Sequence, residues 1–191
     1  MKTKIKIIKM FIEDNRQRTI REISVEIKSD YKITYLAVQK LIEETILKKK
    51  IIGKSTICTL NENYYGIEIY EAENQRKTEM CKNANIKALQ KEIISKLNTY
   101  FFVLLLFGSY AKRKQTKTSD IDLLFISNEK KFEDDMQHVL SLLPLKVHAL
   151  FFTEEEFMRM KDAKKSNVMQ EAIKNNIILY GIEIYYQLKN A

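Results

Sequence analysis

Phe107-Gly108-Ser109-Tyr110-Ala111-Lys112-Arg113 and, after the spacer 114–119, Asp120-Ile121-Asp122-Leu123 are the stretch on which the reading of this chain turns. The apolar run from Tyr100 to Phe107 is strand-sized and ends in Gly-Ser. Gly108 has no side chain, so backbone and an anionic group can approach closely there. Ser109 adds a hydroxyl where a helix begins. Asp120 and Asp122 lie two apart on the next expected strand and therefore point to one face. Two carboxylates so placed suit one divalent cation such as Mg²⁺, while Ile121 and Leu123 alternate into the core. Lys112 and Arg113 follow the turn, where they either meet phosphate or are simply solvated.

Outward from this stretch, helices and strands alternate. An apolar stripe of Ile86, Leu89, Ile93, Ile94 and Leu97 predicts a helix before the first strand. A helix at Lys131–Leu142, a strand at Leu145–Phe152 and a helix starting after Thr153 follow. Glu154, Glu155 and Glu156 read as that helix's first turn, not as metal ligands. Ile177-Ile178-Leu179-Tyr180-Gly181 reads as an apolar segment sealing a helical C-terminus against the sheet. The pattern predicts an α+β body with a small mixed sheet flanked by helices.

Apolar-Gly-Ser, a spacer of ten and Asp-x-Asp among apolar residues resemble the signature of the DNA polymerase beta-type nucleotidyltransferase superfamily, and most of all its minimal prokaryotic members. The resemblance covers residues 85 to 152. It implies transfer of a nucleoside monophosphate from a nucleoside triphosphate, ATP being expected, with Mg²⁺ or Mn²⁺ as cofactor. Asp120 and Asp122 would be the catalytic metal ligands, Gly108 and Ser109 would contact the triphosphate, and Lys112 and Arg113 could assist. Active members usually carry a third carboxylate on a later strand. Here that strand reads Leu145-Lys146-Val147-His148-Ala149-Leu150, with no acid. Parity puts Lys146 and His148 on the face shared with the aspartates. His148 is thus a candidate third catalytic group, as base or ligand, or else a structural histidine.

The first 62 residues have a different character. Ile5, Ile7, Ile8, Phe11 and Ile12 recur at helical spacing, and Thr19-Ile20-Arg21-Glu22 is a capping box opening a second helix. A third helix, from about Thr34, buries Ala37, Val38, Leu41 and Ile42. Two β-branched runs around Gly53-Lys54 predict a hairpin. Three helices plus a β-hairpin resemble a winged helix-turn-helix domain, with residues 63–84 as helical connector and 85–191 as the nucleotidyltransferase-like domain. Lys32, Tyr35, Gln39 and Lys40 face outward on the third helix, with Glu43 at the edge. Lys54 is at the wing tip, and Arg18 sits with Arg16 and Arg21 on an expected phosphate-contacting edge.

Charge supports an anionic partner at this end. The chain of 191 residues carries net +8, and residues 1–65 hold 14 Lys/Arg against 8 Asp/Glu. No apolar run reaches the ~20 residues needed to span a bilayer, and Met1-Lys2-Thr3-Lys4 leads into a helix, not a signal core. Two cysteines build no disulfide framework, which points to the cytoplasm. Expected partners are a nucleoside triphosphate, double-stranded DNA and a protein acceptor; a toxin-like protein and a homodimer are further options. The competing function is a weak or inactive nucleotide-sensing regulator, or an antitoxin-like protein.

Overall fold

The structure is a computed structural model that describes residues 2–96, 99, 101–116, 118–163 and 167–191; Met1, Leu97 and Tyr100 lie outside them. The chain divides into two compact units, Met1–Asn74 and Gln75–Ala191. The division falls inside a helix, within the stretch expected to be a connector.

The first unit runs α1 (Thr3–Glu13), β1 (Arg18–Thr19), α2 (Ile20–Glu26), α3 (Tyr31–Glu43), β2 (Leu47–Ile52) and β3 (Ser55–Leu60), and then enters α4 (Ile67–Met80). The apolar face of α1 is buried through Ile5, Ile7, Ile8 and Phe11. Thr19 caps α2 as expected: its hydroxyl accepts from the Glu22 amide while the Glu22 carboxylate accepts from the Thr19 amide. The third helix starts three residues earlier than its apolar spacing suggests. The Asp30 carboxylate accepts from the amides of Lys32 and Ile33 and so opens the helix at Tyr31. Thr34, Ala37, Val38 and Leu41 are buried, and Ile42 is only half-buried.

The β2–β3 hairpin turns at Gly53-Lys54, with Ile52 opposite Ser55 and Gly53 at φ 59°. The expected hairpin is the larger part of a three-stranded sheet of order β1-β3-β2, because Arg18 and Thr19 pair with Cys58 and Ile57. Two residues are too few to show alternation, so β1 leaves no trace in the sequence pattern. Cys58 is fully buried, and burial pushes its thiol up to about 11.

In the second unit, α4 is followed by α5 (Ala84–Lys96), β4 (Val103–Phe107), α6 (Gly108–Ala111), β5 (Ile121–Ile126), α7 (Phe132–Ser141), β6 (Val147–Phe152), α8 (Glu154–Lys161), α9 (Val168–Lys174), β7 (Ile177–Tyr180) and α10 (Ile182–Asn190). Its sheet has the order β6-β5-β4-β7, with β5–β6 parallel and the other pairs antiparallel. One face packs Leu104, Leu106, Leu123 and Phe125 against Ile86, Leu89 and Ile93 of α5 and Phe132 and Met136 of α7. The central strand β4 is buried along its whole length, which is why it reads as an unbroken apolar run.

Several boundaries and one element differ from expectation: β4 starts only at Val103, and α7 is one residue shorter at each end than Lys131–Leu142. β5 and β6 start at Ile121 and Val147, not at Asp120 and Leu145, because the parallel ladder begins where those two residues pair. The C-terminus is not purely helical: Ile177–Tyr180 is the fourth strand, pairing with β4. A four-residue apolar run has no length with which to distinguish a strand from a buried helical turn. Gln90 of α5 donates to the Leu179 carbonyl at 2.7 Å and ties that helix to the strand. No helix among the described residues is long and apolar enough to cross a membrane.

Gly181 links β7 to α10 at φ +78°, and a Cβ there would lie 2.4 Å from the Phe102 carbonyl oxygen. Gly181→Ala therefore combines left-handed strain with a clash against backbone. It is expected to cost at least about 1–3 kcal/mol of stability, read as a lower denaturant midpoint; an unchanged midpoint would contradict this packing.

Candidate active site

The site begins where β4 ends. Phe107 pairs with Asp122 across the antiparallel ladder, so the residue after Phe107 falls beside the aspartate. Gly108 turns the chain at φ +66°, and a Cβ on it would lie 2.0 Å from Asp122 Oδ2. Only glycine allows the turn and the carboxylate to share this space. The short α6 follows, anchored by Tyr110, which is buried in the core. Ser109 is half-buried, and its carbonyl accepts from the Lys114 amide at 2.9 Å. The returning loop is tied by the Thr116 amide donating to Ser119 Oγ at 2.9 Å.

Asp122 and His148 face each other in the β5–β6 register, with His148 Nδ1 3.4 Å from Asp122 Oδ1. That is the outer limit of a hydrogen bond. The Asp122 side chain is 26% exposed and the His148 side chain 60%, so the pair opens to solvent. Ile121 and Leu123 enter the core, and Asp122 takes the other face. Asp120 precedes the strand and is exposed. It borders an open cavity of about 680 Å³ lined also by Gln137, Leu140, Lys146 and Ala149. Among the described residues, no three His, Cys, Asp or Glu side chains gather as a self-sufficient metal cluster. Mg²⁺ commonly takes only one or two protein carboxylates and completes its shell with substrate phosphates and water. A carboxylate wedged against a glycine turn, with an imidazole alongside, is a donor set that fits such an ion.

Lys112 and Arg113 both have carboxylate partners. Lys112 Nζ donates to Glu171 Oε1 at 2.7 Å, and Arg113 Nη2 to Glu79 Oε2 at 3.2 Å. The hydrogen bond from Lys112, aided by its charge, holds the Glu171 carboxyl below the usual range. Either cation must exchange a carboxylate for a phosphate in order to bind one. These partners lie 59 and 34 residues away in the chain, and sequence spacing offers no signal for them.

In the first unit, Lys32, Tyr35 and Lys40 are exposed on α3, Gln39 is half-buried, and Lys54 is exposed at the hairpin tip. Arg18 departs from expectation, being only 4% exposed. Its guanidinium donates to Glu26 Oε2 at 2.9 Å, to Asp14 Oδ2 at 3.1 Å and to the Asp14 carbonyl, and it lies over the Phe11 ring. That arginine is a structural bolt and is not presented to a phosphate backbone. The sequence reading also passed over Leu36 and Ile33, which are exposed on α3 beside the lysines.

Searches of the curated proteins and of the solved structures found no match to the chain. Residues 90–184 match the family model described as Polymerase beta, Nucleotidyltransferase. The match takes in all four strands of the second unit's sheet, the Gly108 turn, Asp122 and His148. Residues 90–184 are thus similar to a nucleotidyltransferase domain of the polymerase beta type.

Proposed function

We propose that the second unit is a metal-dependent nucleotidyltransferase that moves a nucleoside monophosphate, with ATP as donor, onto a hydroxyl of a protein, RNA or small molecule. The observation that carries this reading is the packing of the Gly108 turn onto Asp122 with His148 in register beside it. The bare backbone at Gly108 and the hydroxyl of Ser109 receive the triphosphate. Lys112 and Arg113 release Glu171 and Glu79 to meet its charge. Asp122, with Asp120 ahead of it on the chain, would hold Mg²⁺ or Mn²⁺, which neutralises phosphate charge when bound. His148 is exposed and can take the proton of the attacking hydroxyl as pyrophosphate departs.

A second reading is favoured by one observation: the strand beside Asp122 sets His148, and not a third carboxylate, in register with it. In that case the domain binds nucleotide without transferring it, and the chain acts as a sensing regulator or an antitoxin-like partner. Incubation with each labelled nucleoside triphosphate and Mg²⁺ or Mn²⁺ separates the two: covalent label supports transfer, and retained but unreacted nucleotide supports sensing.

We also propose that the first unit is a winged helix that binds duplex DNA. Two observations support it: α3 presents Lys32, Tyr35, Gln39 and Lys40 outward, and the hairpin carries exposed Lys48, Lys49, Lys50 and Lys54.

For the first reading, Asp122→Asn is expected to weaken Mg²⁺-dependent ATP binding by roughly tenfold or more while leaving the circular dichroism spectrum unchanged, since one of two carboxylates is lost. Calorimetry checks it, and equal affinity would remove Asp122 from the site. For the second, changing Lys32, Lys40 and Lys54 together to Ala is expected to reduce the salt slope of DNA binding by up to about 3, roughly 1 per lost phosphate contact. Titration of the full chain with duplex DNA across salt concentrations measures it, and an unaltered slope would place the phosphates elsewhere.

A further inference from the structure

The outward face of α3 is not uniformly polar. With 3.6 residues per turn, the side opposite Thr34, Ala37, Val38 and Leu41 is centred on Lys32, Leu36 and Gln39, and exposed Glu43 closes the same row at the helix's C-terminal end rather than standing at the edge where it was expected. Leu36 is 56% exposed in the middle of that row, and Ile33, one turn before Ala37, is 54% exposed at its margin. Tyr31 and Tyr35, with ring centroids 6.4 Å apart, extend the apolar surface along the other margin. Scattered exposed aliphatic side chains are ordinary, but several on one helix of 13 residues amount to a patch, and a patch needs an occupant.

The charges around it choose the occupant. Lys32 and Lys40 lie one turn before and one turn after Leu36 on the same side of the helix, and both are exposed. The centre of a protein–protein interface is depleted in lysine, whereas a phosphate backbone on either side of an inserted helix calls for one at each flank. In the major groove, thymine offers the one apolar group that a base edge presents, its C5-methyl.

Resting on the DNA-binding reading above, we propose that Leu36, with Ile33 beside it, recognises thymine methyl groups in the major groove, so that α3 selects A·T pairs by apolar contact. Lys32 and Lys40 fix the helix between the strands, and Gln39 is free to address an adenine edge next to the methyl.

The test uses the full chain and two duplexes, poly(dA-dT) and the same alternating polymer with deoxyuridine in place of thymidine, which differ only in the methyl. At ~50 mM salt, where phosphate contacts are strong, the thymine duplex is expected to bind about fourfold more tightly for each methyl buried, the equivalent of ~0.8 kcal/mol. Leu36→Ala is expected to lower thymine-duplex affinity toward the uracil level, Leu36→Ala with Ile33→Ala to bring it there, and both variants to leave uracil-duplex affinity and the salt slope unchanged. Leu36 is exposed, so the variant should keep its fold, and the thymine–uracil comparison needs no variant at all. Equal binding to both duplexes overturns the methyl contact while leaving DNA binding standing. Binding to neither overturns both readings, and self-association that Leu36→Ala abolishes would then assign the face to a second copy of the chain.

Discussion

The candidate site depends on a side chain that is missing. Asp122 occupies the volume a Cβ on residue 108 would fill, so the chain can leave β4, turn and start α6 only because residue 108 is glycine. Everything nearby inherits its position from that contact. The antiparallel pairing of Phe107 with Asp122 sets the height of the turn, and the parallel pairing of Asp122 with His148 sets the height of the imidazole. Together they converge a backbone turn, a carboxylate and an imidazole at one end of three adjacent strands.

Positive charge in this protein is sorted by its partners. Arg18 is turned inward, where two carboxylates and the Phe11 ring offset its desolvation. Lys112 and Arg113 are held in surface ion pairs, which contribute little to stability. A partner that is weakly held can be exchanged, so these pairs keep two cations near the Gly108 turn without committing them. The lysines of α3 and of the hairpin are exposed, which leaves the first unit's outward surface strongly basic.

Much of this was legible in the sequence, for identifiable reasons. The capping box at Thr19 and the helix start after Thr153 are local chemistry, complete within four residues, and both are present, the second also as a capping box with Glu156. The alternation of Asp122 with Ile121 and Leu123 states which side faces the core, and the Gly53 turn marks the hairpin. What escaped is non-local or too short. Arg18 resembles its neighbours Arg16 and Arg21 until the fold buries it over the Phe11 ring; Glu26 accepts from Arg16 and Arg18 alike. β1 and β7 are defined by the strands they join and have no pattern of their own. The start of α3 at Tyr31 depends on Asp30 acting as a cap, which a reading based on apolar spacing passes over. Leu36 lies opposite the arc that apolar spacing already marks as buried, and its exposure runs against the expectation that a leucine in a helix enters the core.

The parallel register of β5 and β6 carries a last consequence. A slip of one residue would turn Asp122 and His148 toward α5 and α7 and move Ile121, Leu123, Val147 and Ala149 to the face that holds the site, so the misaligned strands would lose their packing and their site in the same step. Fidelity of the site is therefore enforced during folding by residues with no chemistry of their own. The aliphatic positions accept volume-conserving exchange among Ile, Leu and Val at modest cost as long as the alternation survives, and the polar end stays aligned through such changes.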